Sequence, residues 1–210
     1  MRILLAGATG LVGAEVLRQL LTDPLCSAVV APTRRPLAQT DARVFNPVQG
    51  FEQMPWDADW WQVDAAICAL GSTMKQAGSR EAFRQIDHGY PLAIARAVKA
   101  RGCAVFALNS AMGASPGSMF FYSRVKGELE RDLRALRFDS LTLVRPGLIG
   151  GERVEKRAGE HAASMMLGAL APVLPKAWRI NPAARIAGAL VEAALNPQPG
   201  ERVVGAAQLV

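Results

Sequence analysis

The sequence has few of the residues that hold small proteins together through covalent or metal bonds. It contains three cysteines and two histidines in 210 residues. An odd number of cysteines without paired spacing excludes a disulfide framework, and the lack of Cys/His/acid groups predicts no metal site. No apolar run is long enough to cross a bilayer, and the first is too short for a signal-peptide core. We therefore expect a cytoplasmic protein with reduced, buried thiols and no membrane partner.

Lysine is also scarce, because the 24 basic residues comprise 19 arginines and 5 lysines, and the net charge is +6. A basic balance is typical of proteins that bind nucleic acids or membranes. Here the arginines are scattered, often beside acids, with no basic block and no alternation of basic and aromatic residues. This pattern does not predict nucleic acid binding. A cofactor with several phosphates would itself favour a local surplus of arginine.

Strand-like and helix-like segments alternate along the chain. Strand-like apolar runs lie at 2–6, 28–32, 64–70, 103–109, 140–145 and 202–206, with a possible short strand at 43–46. Helical patterns lie at 11–22, 80–101, 118–137, near 160–172 and at 182–195. The alternation predicts an α/β fold in which helices cover both faces of a doubly wound parallel sheet, in a single domain of residues 1–210. Segment 148–181 is expected to build a substrate-side region; the alternative is a plain surface excursion.

The first thirteen residues carry the clearest functional signal. An apolar run at 3–6 leads directly into Gly7, Gly10 and Gly13, and an amphipathic stretch follows. This is the strand, glycine turn and helix start of a Rossmann-type dinucleotide site. Gly7 permits the tight turn, Gly10 lets the backbone approach a pyrophosphate, and Gly13 lets the helix pack on the sheet. The helix N-terminus would present free N–H groups to the phosphates.

Two arginines follow the second strand. Arg34 and Arg35 lie 24 and 25 residues after Gly10, and no acid occurs between Asp23 and Asp41. A site that prefers NAD carries a carboxylate here for the ribose 2′-hydroxyl, whereas the planar fork of an arginine suits a 2′-phosphate. The sequence therefore predicts NADP. The alternative is that both arginines are solvated loop charges.

The segment 118–137 is predicted to be a helix with Ser118 as its N-cap. Its apolar stripe comprises Tyr122, Val125, Leu129, Leu133 and Leu136. Tyr122 and Lys126 are four residues apart, and hence on one face of this helix. Ser110 ends the preceding strand, where side chains reach the cleft at the carboxyl edge of a parallel sheet.

This set of side chains suits proton transfer. A phenol of pKa ~10 is a poor proton donor or acceptor near neutrality unless its anion is stabilised. An ammonium ~4 Å away at an effective dielectric of ~20 contributes about 4 kcal/mol, or roughly three pKa units. Lys126 would therefore bring Tyr122 into working range, while Ser110 holds the substrate oxygen. The alternatives are that Tyr122 is core, that Lys126 pairs with Glu130, and that Ser110 simply ends a strand.

Eight motifs match a known family, and they run in the family's order across about four-fifths of the chain. They are GATGLVG at 7–13, TRRP at 33–36, ALGST at 69–73, QIDHGY at 85–90, NSAMGA at 109–114, YSRVKGE at 122–128, residues 138–147, and GERVEKRAGE at 151–160. In these segments the chain resembles the atypical branch of the short-chain dehydrogenase/reductase superfamily. Within that branch it is similar to the Tat-interacting-protein-type oxidoreductases and their bacterial relatives.

The resemblance implies an NADP-binding Rossmann-type domain with a catalytic triad of Ser110, Tyr122 and Lys126. The implied cofactor-binding residues are Gly7, Thr9, Gly10, Leu11, Val12, Gly13, Thr33, Arg34, Arg35, Leu70, Gly71, Ser72, Thr73, Tyr122, Lys126, Pro146, Gly147, Leu148 and Ile149. The last four would pass near the nicotinamide.

Three positions depart from the pattern of the family. Asn109 stands where a serine is usual, and Asn46 replaces an acid near the adenine. Asp87 falls at the superfamily's fourth catalytic position, which is commonly asparagine. This last departure puts the usual proton relay in doubt.

The first functional hypothesis is an NADP-dependent oxidoreductase that acts on a small carbonyl or alcohol of unknown identity, as a monomer or homodimer. The alternative is a catalytically weak module that senses NADPH and acts through a protein partner. Nucleotide-sugar epimerase or dehydratase chemistry is a weaker candidate, because such enzymes need a larger C-terminal domain than the residues after 145 provide.

Overall fold

The computed structural model describes residues 1–150 and 179–210. The strands are β1 (Arg2–Ala6), β2 (Ala28–Val30), β3 (Val44–Phe45), β4 (Ala65–Cys68), β5 (Val105–Asn109), β6 (Ser140–Arg145), β7 (Ile149–Gly150), β8 (Asn181–Pro182) and β9 (Gly200–Gly205). The helices are α1 (Leu11–Thr22), α2 (Met74–Ala77), α3 (Arg80–Arg84), α4 (Tyr90–Ala100), α5 (Phe121–Ala135) and α6 (Ala183–Leu195). A π-helical turn, Gln85–Gly89, joins α3 to α4. Most of segment 148–181, including the helix expected near 160–172, lies outside the described residues.

The main sheet is parallel throughout. Its seven strands in the described part of the chain follow the order β3-β2-β1-β4-β5-β6-β9, and every pairing is parallel. This confirms the predicted doubly wound α/β fold of the Rossmann type. The strand order reverses between β1 and β4, which is where such sheets open a crevice at the carboxyl ends of their strands.

Each face of the sheet is covered by helices. Ile3 and Leu5 of β1 pack with α1 and α6, whereas Leu4 and Ala6 pack on the opposite face with α4 and α5. Since both faces are buried at the inner strands β1, β2, β4, β5 and β6, these strands are continuous apolar runs rather than alternating ones. This explains why the strands could be found in the sequence as uninterrupted apolar segments.

Two predicted helices differ from those observed. The helix expected at 118–137 begins at Phe121, and its N-cap is Phe120 rather than Ser118. The Ser118 hydroxyl instead accepts from the Phe120 N–H at 3.2 Å, within a turn that precedes the helix. The turn begins at Ser115, whose carbonyl accepts from the Ser118 N–H at 3.1 Å, and Ser115 packs closely on the helix, because a Cβ on Gly127 would lie 2.1 Å from its carbonyl carbon. The helix expected at 80–101 is interrupted by the π-helical turn.

The three cysteines are free and buried, as expected. Burial raises the pKa of Cys68 to about 11 and that of Cys103 to about 11. Burial also raises the pKa of Cys26. Because the thiolate is the nucleophile, none of the three suits covalent catalysis.

We therefore expect all three thiols to be unreactive towards a thiol-specific chromogenic reagent at about pH 8, where only about one thiol in a thousand is ionised at a pKa of about 11. Denaturant should release three reactive thiols. Rapid labelling of any one cysteine in the folded protein would contradict this prediction.

Among the described residues, no helix is long and apolar enough to cross a membrane. The same part of the chain has no group of three or more His, Cys, Asp or Glu side chains that could hold a metal ion.

Candidate functional site

The glycine turn lies between β1 and α1. Gly7 has a φ of +90°, and a Cβ there would lie 2.8 Å from the Ala69 carbonyl. A Cβ on Gly13 would lie 2.0 Å from Gly7 O. A Cβ on Gly10 would meet a single atom, Gly7 O at 3.3 Å. The fold therefore dictates the first and third glycines, whereas the backbone at Gly10 stays open to a ligand.

The N-terminus of α1 faces this opening. Gly10 is the N-cap, no side chain caps the helix, and its first turn holds no acid. The N–H groups of Leu11, Val12 and Gly13 have no partner inside the helix, because they precede its first full turn. This positive end of the helix dipole suits the pyrophosphate of a dinucleotide. Thr9 is exposed beside it.

The loop after β2 carries both predicted arginines. Arg34 and Arg35 are exposed, and neither side chain forms an ion pair or hydrogen bond with any other described residue. Thr33 is buried, and its hydroxyl donates to the Arg35 carbonyl at 2.6 Å. Thr33 thus supports the loop from within, while the two guanidinium groups remain available for an anion.

The segment Leu70–Thr73 runs over a buried charged pair. The Ser72 N–H donates to Asp87 Oδ2 at 2.8 Å. A Cβ on Gly71 would lie 3.5 Å from Asp87 Oδ1 and 3.7 Å from Lys126 Nζ. Thr73 caps α2 by accepting from the Gln76 N–H. The expected cofactor-lining segment is therefore anchored directly on Asp87.

Lys126 and Asp87 form that pair. The Lys126 ammonium lies 2.9 Å from Asp87 Oδ1, and the two side chains are 3% and 0% exposed. Burial alone would lower the pKa of Lys126, but the nearby Asp87 carboxylate and then Tyr122 raise it above its ordinary value. An ammonium has three N–H donors, and the contact with Asp87 Oδ1 occupies only one of them. The ammonium therefore keeps protons for another acceptor.

Tyr122 stands at the mouth of the same cleft. It is 40% exposed, whereas Val125, Leu129 and Leu133 of the predicted stripe are fully buried. Its ring packs against Phe83 with centroids 5.6 Å apart. Tyr122 is thus not a core residue, although it occupies an apolar position of the helix.

Ser110 is held by the carboxylate of Glu130, a residue that the sequence offered only as an alternative partner of Lys126. Its hydroxyl lies 2.6 Å from Glu130 Oε1. Both oxygens of Glu130 also accept from Arg145, so Glu130 is the acceptor and Ser110 the donor. Glu130 does not pair with Lys126, which was the alternative for that lysine. Among the described residues no hydrogen bond joins Ser110 to Tyr122.

Glu130 and Arg145 were not predicted from the sequence as site residues. A network of ion pairs extends from them. Arg134 lies 3.5 Å from Glu130 and forms a two-pronged contact with Glu201 at 2.7 and 2.8 Å. A usable sequence signal existed, because Glu130 follows Tyr122 and Lys126 at steps of four on one helix face. Arg145 ends β6 and gave no local signal.

The segment Pro146–Ile149 is also braced by a residue that sequence reasoning missed. Asn181 is fully buried, and its Oδ1 accepts from the Gly147 N–H at 2.7 Å. The Asn181 N–H donates to the Leu148 carbonyl at 2.7 Å. β7 and β8 pair beside it, which joins the two ends of segment 148–181 next to the cleft.

The structure thus brings most of the predicted site residues to one sheet edge. The glycine turn, Leu70–Thr73, Ser110 and Pro146–Ile149 follow β1, β4, β5 and β6, respectively. A buried acceptor here, Asn109 Oδ1, has no donor among the described residues, and the Lys126 ammonium has donors beyond the one directed at Asp87. With the open helix N-terminus and the buried ammonium, these atoms fit a polar ligand that carries phosphates and ribose hydroxyls.

No protein-family model matches the chain. "Protein fmp52, mitochondrial" of Aspergillus fumigatus is 34% identical over 217 residues, covering 99% of this chain and 92% of the relative. "Protein HTATIP2" of Rattus norvegicus is 33% identical over 95% of this chain and 83% of its own length. "Protein FMP52, mitochondrial" of Eremothecium gossypii is 37% identical over 81% of this chain and 76% of the relative.

Solved structures with the same fold are more distant in sequence. MoeE5 in complex with UDP-glucose and NAD superposes with a TM-score of 0.73 at 15% identity, covering 98% of this chain and 76% of MoeE5. A short-chain dehydrogenase/reductase superfamily protein from Agrobacterium tumefaciens, with bound NAD, gives 0.68 at 13% identity over 98% of this chain and 77% of the other. These likenesses confirm the Rossmann-type fold.

The cytoplasmic location expected from the sequence is wrong by this comparison, because several relatives are named mitochondrial. The expectation rested on the lack of an export signal and of a membrane span. Those features bear on secretion and on membrane insertion, and they do not distinguish among organelles.

Proposed function

Because the chain belongs to the atypical short-chain dehydrogenase/reductase family that includes HTATIP2 and FMP52, we propose that it is an NADP-dependent oxidoreductase acting on a small carbonyl or alcohol. The observation that carries the proposal is the buried Lys126–Asp87 pair directly behind the exposed Tyr122, at the carboxyl edge of the sheet. Burying a charged group costs free energy because the group loses its hydration, so a buried charged pair points to a function. Perturbed ionisable groups in a cleft are typical of functional sites.

In this proposal the glycine turn and the N-terminus of α1 hold the pyrophosphate, and Leu70–Thr73 and Pro146–Ile149 flank the cofactor. When bound, the nicotinamide supplies or accepts a hydride. Tyr122 gives a proton to the substrate oxygen during reduction, or takes one during oxidation. Its exposed position allows the phenol to reach a substrate that enters from solvent.

Lys126 has two tasks, and Asp87 makes both possible. Its positive charge stabilises the Tyr122 phenolate, and its free N–H groups bind a ribose hydroxyl. A lone ammonium this deeply buried would tend to lose its proton. Asp87 keeps the Lys126 ammonium charged. The negative charge of Asp87 also partly offsets the stabilisation that Lys126 gives to the Tyr122 phenolate.

Ser110 orients the substrate oxygen. Because its proton is directed at Glu130, the remaining lone pairs of its oxygen accept a hydrogen bond from an alcohol substrate or from the Tyr122 phenol. Donation to a carbonyl oxygen would require Ser110 to leave Glu130. Segment 148–181 would border the substrate, which is consistent with its two ends meeting at β7 and β8 beside the cleft.

NADPH should bind at least tenfold tighter than NADH, because Arg34 or Arg35 meets the 2′-phosphate. A charge-assisted contact is worth ~1.5–3 kcal/mol, which corresponds to roughly a tenfold to hundredfold preference. The double variant Arg34→Ala/Arg35→Ala should lose most of this preference while NADH affinity stays nearly unchanged. Equilibrium titrations with both nucleotides measure the two affinities.

A matched control is Arg185→Ala/Arg202→Ala, which removes two exposed arginines of α6 and β9. It lowers the net charge equally and should keep the NADPH preference. Equal affinities of the unaltered protein for NADPH and NADH would refute the assignment of the arginines.

A second candidate function is an NADPH sensor that acts through a protein partner. Two observations favour it: Asp87 offsets the charge of Lys126, and the Ser110 proton is committed to Glu130. Both reduce the catalytic strength of the triad. The two functions differ in whether bound NADPH is ever oxidised by a carbonyl compound.

A further inference from the structure

Asn109 ends β5 directly before Ser110, and its side chain carries a polar group that the protein does not use. Its Oδ1 is shielded from solvent and accepts no hydrogen bond, although the residue as a whole is only partly buried. Its amide nitrogen donates to none of the described residues. A buried acceptor without a donor costs free energy. Such a group points to a partner that the protein alone does not supply.

Asn109 and Ser110 lie on opposite faces of the sheet. The Ser110 hydroxyl reaches Glu130 on the face that α4 and α5 cover. Side chains alternate along a strand, so Asn109 lies on the other face, together with Val105 and Ala107, which pack with α1 and α6. Asn109 therefore borders the crevice from the side of α1, whereas the catalytic residues border it from the side of α5.

The order of the strands indicates which half of the cofactor Asn109 would meet. The arginine loop follows β2, the glycine turn follows β1, and β4 separates β1 from β5. Neighbouring strands lie about 4.8 Å apart, so Asn109 lies about 10 Å beyond the glycine turn, on the side away from the arginines. Its register partner in β6 is Val144, two residues before the segment that is expected beside the nicotinamide.

The unpaired oxygen selects among the groups of the cofactor, because it needs a donor. The ionised phosphates have none to offer. The ribose hydroxyls of the nicotinamide half are assigned to Lys126, which approaches from α5 on the opposite face. The remaining donor in this half is the NH₂ group of the nicotinamide carboxamide. A carboxamide and an asparagine side chain each carry one acceptor oxygen and one NH₂ donor, so the two groups are complementary.

We propose that Asn109 is a cofactor-binding residue, whose Oδ1 accepts a hydrogen bond from the nicotinamide carboxamide. The proposal rests on the proposed NADP-dependent function. The terminal torsion of an asparagine side chain is broad, so a turn of the amide brings Oδ1 to the crevice. The side chain of Asn109 also reaches farther than the serine that is usual in the family, so the contact is one in which this chain departs from that pattern.

The test is Asn109→Leu, which keeps the branched shape of the side chain and removes its amide. Two oxidised nucleotides are titrated: NADP⁺ and its 3-acetylpyridine analogue, in which a methyl group replaces the carboxamide NH₂. We expect the unaltered protein to bind NADP⁺ about threefold to tenfold tighter than the analogue, since the analogue lacks one hydrogen bond. Asn109→Leu should bind NADP⁺ more weakly by the same factor without weakening the analogue.

The free energy of unfolding without nucleotide separates binding from folding. Because the acceptor of Asn109 is unpaired in the free protein, Asn109→Leu should be at least as stable as the unaltered protein. The matched contrast is Asn181→Leu, which should be clearly destabilised. Asn181 is fully buried, and its amide is bonded to the Gly147 N–H and the Ala206 carbonyl. Asn109→Ala carries the titrations if Asn109→Leu does not fold.

An equal loss of affinity for both nucleotides, or an unchanged preference for NADP⁺ in the variant, overturns the role of Asn109 while leaving the NADP assignment intact. An unaltered protein that binds NADP⁺ and the analogue equally overturns it as well. If the unaltered protein binds neither NADP⁺ nor NADPH, the proposed function fails, and the role of Asn109 fails with it. The unaltered protein thus distinguishes the two failures.

Discussion

Tyr122→Phe should lower carbonyl reduction by about 10²–10⁴-fold, the usual contribution of a positioned general acid. The change removes one hydroxyl, which forms no hydrogen bond with another described residue. The ring keeps its contact with Phe83, and Lys126 stays free to bind the ribose. NADPH affinity should therefore fall by less than about tenfold, a pattern that reports loss of transition-state stabilisation alone.

The chain offers a matched control, because Tyr90 is its other tyrosine. Tyr90 lies at the start of α4 and stacks on Phe51 with centroids 4.5 Å apart. Tyr90→Phe makes the same chemical change away from the triad and should keep full turnover. Unchanged turnover in Tyr122→Phe, or an equal loss in Tyr90→Phe, would show that the catalytic assignment is wrong.

Asp87→Asn should destabilise the protein by about 3–5 kcal/mol at about pH 7, because it leaves the Lys126 charge buried without a partner. Asparagine can still accept from the Ser72 N–H, so the loss is specific to the ion pair. Denaturant titrations of each protein give the free energy of unfolding. The double variant Asp87→Asn/Lys126→Met should recover much of the loss, since it removes both charges.

The deficit of Asp87→Asn should also depend on pH. In the unaltered protein the pKa of Lys126 is raised above 10.5, so its contribution is present below pH 10.5 and is lost as the pH rises through the folded value. Without Asp87, burial lowers this pKa, and the charged lysine opposes folding until it is neutral in both states. The deficit should therefore shrink between about pH 7 and about pH 11.

Asp139→Asn serves as the control, because Asp139 is largely exposed and lies 3.8 Å from Lys99. An exposed pair of this kind contributes less than about 1 kcal/mol. A deficit in Asp87→Asn that stays the same at both pH values, or that Lys126→Met does not relieve, would contradict the account of the buried pair.

The features that could be predicted from the sequence are those encoded locally. The turn at Gly7, Gly10 and Gly13 lies within one strand-turn-helix unit, and the four-residue step from Tyr122 to Lys126 follows from helical periodicity alone. Strand positions were visible because both faces of the sheet are buried. The start of α5 was not, since Ser115 and Pro116 of the preceding turn pack closely against Gly127 of the helix.

The contacts that set the charges and hydrogen bonds of the site could not be predicted from the sequence, because they join residues far apart in the chain. Lys126 could pair with Glu130 by spacing, yet its partner is Asp87, brought near by the packing of α5 on the π-helical turn. The engagement of Ser110 by Glu130 likewise depends on how α5 packs over β5. Local periodicity carries no information about such pairs.

The most direct measurement of the central claim is a single turnover with the protein in excess over NADPH. A panel of small aldehydes and ketones is mixed with the complex, and the absorbance of the reduced nicotinamide is followed. The account predicts that at least one carbonyl compound oxidises the bound NADPH, yields the corresponding alcohol, and does so far more slowly in Tyr122→Phe. Tight binding of NADPH, with oxidation no faster than in free solution for every compound in the panel, would contradict it.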